Sequence, residues 1–234
     1  MEENSWAYAT LLGIIQGTSE FLPISSSGHL VVFSSLVNDK PLSLTLNIAL
    51  HIGTLLAVLI YFWRDWLRLA QNCFATATGG GGNFESRVLL PGLLLGSVPA
   101  GVIGILYQDE IEHYFHNPLM VVFPLALVGV ALWLVDAQSP RDRKLADLRI
   151  KDAVLIGIAQ ACALIPGVSR SGSTIIGARA LGIDREDAAR FSFLLGTPAM
   201  GGAALLNASD LMASMGDPVF YIGVSVSLLV GCLS

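Results

Sequence analysis

The chain has 234 residues, of which 53% are hydrophobic and only 13% are charged, and its formal net charge is −5. Soluble domains carry about 25% charged residues, so this composition excludes an ordinary soluble domain. Several apolar runs approach the ~20 residues with which a helix crosses a bilayer: 45–63, 88–107, 118–135, 191–206 and 219–234. We therefore predict an all-α integral membrane protein, a polytopic helical bundle that forms a single membrane domain over 1–234.

The first predicted element, 6–37, is apolar except near its centre, where residues 16–30 read QGTSEFLPISSSGHL. Polar side chains and irregular backbone persist at membrane depth only when they are buried in protein or line a wet cavity. Ionisable residues placed there are functional by default. We therefore expect a helical hairpin whose polar tip forms part of a site.

The distribution of cations predicts the topology. Lys and Arg residues concentrate in three loops, 64–87, 136–152 and 179–190. Three other loops share a single cation, Lys40: 38–44, 108–117 and 207–218. The positive-inside rule places the first set in the cytoplasm and the second set outside. Segment 153–183 then begins and ends inside, so it is expected to enter the membrane and return, as 6–37 does from the opposite face.

An internal repeat relates these two re-entrant hairpins. With an offset of 144, GIIQGTSEFLPISSSGH aligns with GIAQACALIPGVSRSGS, which matches Gln16 with Gln160 and Ser25 with Ser169. With an offset of 143, Gly53-Thr54 matches Gly196-Thr197. We predict two repeat units of inverted topology, 6–63 with hairpin 6–37 and 153–206 with hairpin 153–183. Such repeats place a binding site near the midplane of the membrane.

The two tips carry groups that suit phosphate. Each tip leads into a new helix, and a helix N-terminus offers free N–H groups and a positive dipole end. Serine hydroxyls and glycine backbone add further donors, at Ser25, Ser26, Ser27, Gly28, Ser169, Ser171 and Gly172. Arg170 supplies a planar cation that binds phosphate oxygens through two nitrogens. The alternative role for Arg170 is a structural bridge to Glu20.

Acid–base groups accompany these donors. Gln16 and Glu20 are four residues apart and share a helix face, and Glu20 can act as a proton shuttle or a metal ligand. His29 can act as base, acid or nucleophile, whereas His51 is expected to be an interfacial, structural residue. A carboxylate, hydroxyls, a histidine and an arginine at one depth are the groups that phosphoryl transfer needs.

At these residues the chain resembles the bacterial undecaprenyl-diphosphate phosphatases of the bacitracin-resistance type. Their two signatures stand here as QGTSEFLPISSSGH and PGVSRSGST, and LLAVLIYFWR and FSFLLGTPAMGGA are also similar. The resemblance implies hydrolysis of undecaprenyl diphosphate to undecaprenyl phosphate and inorganic phosphate, which recycles the lipid carrier for peptidoglycan synthesis and confers bacitracin resistance. It also implies a divalent cation, magnesium or calcium, and a multi-pass protein of the bacterial inner membrane with its site open to the outer face.

The resemblance further implies roles for individual residues. Glu20 is the acid/base or metal-binding carboxylate, and Ser26 or His29 is the nucleophile. Arg170 holds the phosphates, surrounded by Ser169, Ser171 and Thr174. Gln16 departs from the pattern, because many members have a first glutamate there. The chain also stops within an apolar run at Ser234, whereas relatives continue through another helix, so we expect a truncated C-terminus.

A second function remains open on the sequence. Inverted repeats are common in secondary transporters, so the alternative is a lipid-phosphate transporter or flippase. A transporter needs an anion site but no nucleophile and base, and therefore His29 beside three serines favours the enzyme. The expected partners are a polyprenyl diphosphate lipid and membrane lipids, with a second copy of the chain as a candidate homodimer partner. No nucleic acid partner is expected.

Overall fold

The computed structural model describes residues 6–38, 42–107 and 118–234. Over these ranges the backbone is helical with no β-strand, which confirms the all-α prediction. The helices, in chain order, are α1 (Trp6–Ser19), α2 (Ser26–Asn38), α3 (Leu44–Tyr61), α4 (Trp63–Ala77), α5 (Leu90–Leu106), α6 (Pro118–Gln138), α7 (Ile150–Ala161), α8 (Arg170–Ala180), α9 (Arg185–Leu206), α10 (Ala208–Ser214) and α11 (Pro218–Leu233). Lys40 and the predicted outer loop 108–117 lie outside the described residues.

Several of these helices have the length and composition of membrane spans. Glu85–Leu106, which is one turn of π-helix followed by α5, and Met120–Gln138 are each long and apolar enough to cross a bilayer. Two bent pairs would bring the number of spans among the described residues to four. They are α3 with α4, bent by 68°, and α9 with α10, bent by 70°. The chain is therefore a polytopic membrane protein.

Both predicted hairpins contain a break in the helix at their polar centre. The first break separates α1 from α2 at residues 20–25, and the second separates α7 from α8 at 162–169. Pro23 and Pro166 lie in these breaks, where a missing backbone N–H and a fixed φ end a helix. Ser25 closes the first break with φ 64°, a left-handed conformation that costs a non-glycine residue about 1–2 kcal/mol. Each break, together with the first turn of the helix that follows it, is called a tip below: the first tip precedes and begins α2, and the second precedes and begins α8.

The two predicted repeat units share a packing pattern in which each leans on a helix from the other part of the chain. Helices α1 and α3 pack on α11, whereas α7 and α9 pack on α5. Matched glycines allow the approach, because a Cβ at Gly13 would lie 2.8 Å from Val226 and one at Gly157 would lie 2.0 Å from the Gly96 carbonyl oxygen. The similarity therefore reaches past 6–63 and 153–206 to α5 and α11. The inverted orientation of the units stays a prediction.

Each unit has a hydrophobic core that includes the borrowed helix, and the core of the second unit also takes in Val58 of α3. One core joins α1, α2, α3 and α11 through Leu12, Leu30, Leu50 and Val219. The other joins α5, α7, α8 and α9 through Leu93, Ile156, Ala178 and Phe191. Helices α3 and α9 also contact each other, and α6 contacts both α2 and α8. The two tips are thereby held at the junction between the cores.

One cation of the predicted cytoplasmic loops is structural. Arg179 is fully buried, and its guanidinium donates to the Asp136 carboxylate at 3.0 Å and to the carbonyls of Ser139 and Pro140 at 3.0 and 2.9 Å. These groups lie at the C-terminal end of α6, whose last carbonyls have no partner within the helix. Arg179 therefore fixes the end of α8 to the end of α6.

Cysteine labelling tests the predicted topology. Gly81→Cys and Gly216→Cys place a thiol in a predicted cytoplasmic and a predicted outer loop, where a Cβ meets no atom within 4 Å. In a background lacking Cys73, Cys162 and Cys232, a membrane-impermeant maleimide should label Gly216→Cys in intact cells. It should label Gly81→Cys only after permeabilisation. Labelling of both thiols from one side would contradict the predicted topology.

Candidate active site

The two tips meet at a cavity of about 330 Å³. Seven of the residues predicted from the sequence line it: Glu20, Ser25, Ser26 and Ser27 from the first tip, and Ser169, Arg170 and Ser171 from the second. Side chains of α3, α5, α7 and α9 line most of the remaining wall. The volume lies within the range of about 300–1,000 Å³ that is usual for small-molecule sites. Residues 144 positions apart in the sequence thus face one space.

The buried carboxylate of Glu20 is the centre of the hydrogen bonds around this cavity. Its Oε1 accepts from Arg170 Nη2 at 2.5 Å. Its Oε2 accepts from Gln16 Nε2 at 3.1 Å and from the Ser26 hydroxyl. Burial of a carboxylate is costly unless it is paired and hydrogen-bonded, and these three donors fulfil that condition. Gln16 also donates to Thr54 at 3.3 Å, behind the cavity wall.

Arg170 is held in place from two sides but retains one unsatisfied nitrogen. Its Nη2 contacts Met200 Sδ at 3.3 Å in addition to Glu20. Its guanidinium lies against the backbone of α9, because a Cβ at Gly196 would lie 1.6 Å from Nη1. Nη1 is buried and has no hydrogen-bond partner among the described residues. A buried donor without a partner is unusual in proteins, so an anion that reached Nη1 would satisfy it.

The serines build the same cap at both tips. Gly28 N–H donates to Ser25 Oγ at 3.3 Å, and Gly172 N–H donates to Ser169 Oγ at 3.0 Å. A second hydroxyl lies beside each cap, with Ser27 Oγ 3.3 Å from Ser25 Oγ and Ser171 Oγ 3.2 Å from Ser169 Oγ. These caps start α2 and α8 at the cavity. The helix N-termini therefore point their remaining N–H groups toward it.

Thr174 lies behind the second tip and does not line the cavity. Its hydroxyl donates to the carbonyls of Arg170 and Ser171 at 2.9 and 3.1 Å, and it contacts Ser192 Oγ at 2.5 Å. Thr174 therefore fixes the first turn of α8 to α9, which sets the direction of Arg170.

The structure does not bring His29 to the cavity. Its Nδ1 lies 2.8 Å from the Ser25 carbonyl oxygen, and its ring lines a separate apolar cavity of about 390 Å³ with Val32, Leu36 and Leu125. The reason is helical periodicity, since residues 29, 32 and 36 share the face of α2 that turns toward α6.

His51 is the histidine that faces the site, which corrects its expected interfacial position. Its Nε2 lies 3.8 Å from Glu20 Oε2, and it lines the cavity. Its Nδ1 lies 2.8 Å from the Asn47 carbonyl oxygen. A carbonyl oxygen can only accept a hydrogen bond, so Nδ1 is the donor, and Nε2 is the nitrogen that remains available to exchange a proton in the cavity.

Sequence reasoning missed further residues that line the cavity, among them Asn47, Gln160 and Met200. A signal for the first existed, because Asn47, His51 and Thr54 recur at helical spacing and form a polar stripe on an otherwise apolar helix. Gln160 was recognised as the repeat counterpart of Gln16 but was not assigned to the site. Nothing in the pattern distinguished Met200 from the apolar residues around it.

A divalent cation fits this site only in part. No group of three His, Cys, Asp or Glu side chains that could hold a metal ion occurs among the described residues. The Gln16 amide oxygen is buried and has no hydrogen-bond partner in the described part of the chain, and it lies on the side chain that bonds Glu20. One carboxylate and one amide oxygen suit magnesium or calcium. They fit a cation that is shared with phosphate oxygens, as magnesium usually is.

The arrangement can support nucleophilic catalysis. A serine hydroxyl bonded to a carboxylate is an activated nucleophile, and a guanidinium beside it can stabilise charge that develops on a phosphate. Ser26, Glu20 and Arg170 have these positions.

Comparisons with known proteins agree over nearly the whole chain. The family profile described as bacitracin resistance protein BacA matches residues 9–234. A protein named undecaprenyl-diphosphatase from Thermomicrobium roseum is 43% identical, over 99% of this chain and 87% of its own length. Proteins of the same name from Pelotomaculum thermopropionicum and Desulforudis audaxviator are each 42% identical, over 97% and 96% of this chain and 84% of their own lengths. The matched region contains both tips.

A double-mutant comparison tests the Arg170–Glu20 contact. Arg170→Ala should lower the free energy of unfolding by about 3–5 kcal/mol, because it leaves a buried carboxylate without its cation. Adding Glu20→Gln removes that charge and should restore part of the stability. Melting temperatures in detergent measure the effect.

The matched control for this comparison is Arg190→Ala. It breaks the more exposed pair with Asp65 and should cost at most about 1 kcal/mol. A double variant no more stable than Arg170→Ala would show that the pair is not an energetic unit.

Proposed function

The chain belongs to the bacitracin resistance protein BacA family, and from this we propose that it is a phosphatase that hydrolyses undecaprenyl diphosphate to undecaprenyl phosphate and inorganic phosphate. The reaction returns the lipid carrier to peptidoglycan synthesis and confers bacitracin resistance. The observation that carries the proposal is the cavity at which Glu20 and Ser26 of the first tip meet Arg170 of the second. The relatives named undecaprenyl-diphosphatase support the same substrate.

The cavity suits a lipid with a diphosphate head group. The diphosphate would lie between the two helix N-termini, where N–H groups and dipoles favour negative charge, and would contact Arg170 Nη1. An apolar groove of about 680 Å³ begins at Leu164, which also lines the site, and continues past Ile158, Ile103 and Met120. This groove offers the prenyl chain a path from the site to the lipid.

Ser26 is the nucleophile that the geometry favours. Its Oγ attacks the terminal phosphorus in line with the bridging oxygen, while Glu20 Oε2 takes the hydroxyl proton. An Oγ–P bond forms and the bridging P–O bond breaks, so undecaprenyl phosphate leaves as an anion. Arg170 compensates the charge on the transferring phosphoryl oxygens, which is the principal need of this reaction class.

Hydrolysis of the phosphoserine completes the cycle. A water attacks the phosphorus and gives a proton to His51 Nε2, while Glu20 returns its proton to Ser26 Oγ as the Oγ–P bond breaks. Inorganic phosphate leaves, and His51 releases its proton to solvent. A divalent cation held by Glu20 and the Gln16 amide oxygen would neutralise charge on the diphosphate oxygens.

The proposed location is the bacterial plasma (inner) membrane, with the active site open to the outer face. The concentration of cations in 64–87, 136–152 and 179–190 supports this orientation. We also propose that membrane lipids or a second copy of the chain cover the side of α6 that points away from the rest of the protein, where Phe123 and Trp133 are 72% and 70% exposed.

Chemical trapping tests the nucleophile. When detergent-solubilised protein turns over a prenyl diphosphate labelled at the terminal phosphate, an acid quench should retain label on the protein, because phosphoserine survives acid. Ser26→Ala should abolish both label and turnover. His51→Ala should accumulate label, since it removes the base for hydrolysis, and should lower turnover by about 10²-fold or more.

The alternatives for this step give different results. If the label on the wild-type protein is lost in acid, and if His29→Ala forms no label, the nucleophile is His29. Absence of any label in a slow His51→Ala variant would indicate direct attack by water. Near-normal turnover in Ser26→Ala would contradict the proposed mechanism.

Substitutions at Gln16 and Glu20 test the carboxylate and the cation. Glu20→Gln should lower turnover by about 10²–10⁴-fold, because it removes the proton acceptor, whereas Gln16→Ala should retain much of it. Gln16→Glu adds a second carboxylate and should lower the magnesium concentration needed for half-maximal activity. The shift of melting temperature with magnesium gives a second measure of cation binding. Equal losses in Glu20→Gln and Gln16→Ala would instead mean that the two side chains act as one unit.

A further inference from the structure

Gln160 is a buried polar residue that the mechanism above does not use. It lies near the end of α7, is 2% exposed, and lines the cavity that contains Glu20 and Arg170. Neither Nε2 nor Oε1 of its amide has a hydrogen-bond partner among the described residues. A buried amide without a partner destabilises the protein, so a ligand that hydrogen-bonds to it would offset the free energy lost by burying the amide.

The repeat explains why this amide lacks a partner. Its counterpart Gln16 donates to Glu20 and Thr54. At the offset of 144, the position that corresponds to Glu20 is Leu164, whose side chain has no hydrogen-bond acceptor. The second unit therefore keeps the glutamine but not its carboxylate, and the amide is left directed at the cavity.

The position of Gln160 relates it to one end of the substrate. Its neighbours Ala161 and Cys162 line the apolar groove, and Leu164 lines both the groove and the cavity. Leu164 therefore marks the place where the two spaces join, and Gln160 lines the cavity one helical turn before it in the chain, near the point where a prenyl chain would leave its phosphate. Arg170 also lines the cavity, and its Nη1 is a second buried donor without a partner among the described residues.

We propose that Gln160 is a substrate-binding residue whose side-chain N–H groups hydrogen-bond the phosphate that carries the prenyl chain. The inference rests on the proposed function, and it names the phosphate that Gln160 contacts. Ser26 and Glu20 act on the terminal phosphate, and Gln160 holds the leaving one. A hydrogen bond to this oxygen strengthens as the bridging bond breaks, because the leaving phosphate gains negative charge.

The main test is Gln160→Met, which keeps the side-chain length but removes the amide. In detergent, kcat/KM for a prenyl diphosphate should fall about 10- to 100-fold, the usual effect of losing a hydrogen bond to a charged group. Inhibition by farnesyl phosphate should weaken by about tenfold on the same basis, whereas inhibition by inorganic phosphate should not change. The melting temperature of the unliganded protein should be equal or higher, since an unsatisfied buried group is gone.

The matched control is Trp66→Phe. Trp66 also has a buried N–H without a partner in the described part of the chain, but it does not line the cavity. This variant should keep the wild-type kinetic constants and both inhibition constants. It separates the loss of a substrate contact from the general effect of removing an unsatisfied polar atom.

Two outcomes would overturn the inference. One is an unchanged kcat/KM in a folded Gln160→Met, and the other is an equal loss of affinity for farnesyl phosphate and inorganic phosphate. If Gln160→Met does not fold, Gln160→Glu is the deciding variant. A carboxylate beside the prenyl-bearing phosphate should weaken the binding of farnesyl phosphate, and unchanged binding would overturn the inference. If the wild type hydrolyses no prenyl diphosphate, the proposed function fails. The shift of melting temperature with farnesyl phosphate, in wild type and variants, then still tests Gln160.

Discussion

A buried carboxylate in a membrane protein must have partners, and the partners of Glu20 come from both repeat units. Arg170 reaches it from the second tip, while Ser26 and Gln16 belong to the first repeat unit. Loss of either charge would leave the other buried and unpaired, which is more costly than losing the pair. The ion pair between Glu20 and Arg170 depends on three features of the fold. These are the position of the tips, the glycine at position 196 and the close contact of α3 with α9.

The bilayer explains the form of the two hairpins. Because lipid offers no hydrogen bonds, a break in a helix is tolerated only where protein or a wet cavity satisfies the free backbone groups. Serine caps supply that satisfaction at both tips, and a proline ends the preceding segment in each case. The cavity and the caps are thus two results of one requirement, since the groups that stabilise the break are also the groups that face an anion.

The sequence predicted the helical class, both breaks and most of the polar residues that line the cavity, because hydropathy, charge and the repeat all depend on local composition. It did not predict which histidine faces Glu20. His29 and His51 both lie on apolar helices close to polar residues, so the sequence does not distinguish them. The orientation of α2 against α6 turns His29 away from the cavity, and the orientation of α3 against α9 turns His51 toward it. The sequence places Arg179 among the cations of a predicted loop, because its burial depends on partners at the end of α6 that are distant in the sequence. The repeat indicates that Gln160 lacks the carboxylate partner of Gln16, but only the packing of α7 shows that no other group bonds its amide among the described residues.

The exchange of packing partners has a consequence for how the protein is made. The first hairpin leans on α11, which the ribosome produces last among the described helices, whereas the second hairpin leans on α5, which is made before it. During synthesis the first tip, with Glu20, therefore waits in the membrane without its neighbour and without Arg170, while the second tip inserts beside a helix that is already present. Formation of the Glu20–Arg170 ion pair is then a late event. An insertase or chaperone that shields hairpin 6–37 would serve the nascent chain more than one that shields 153–183.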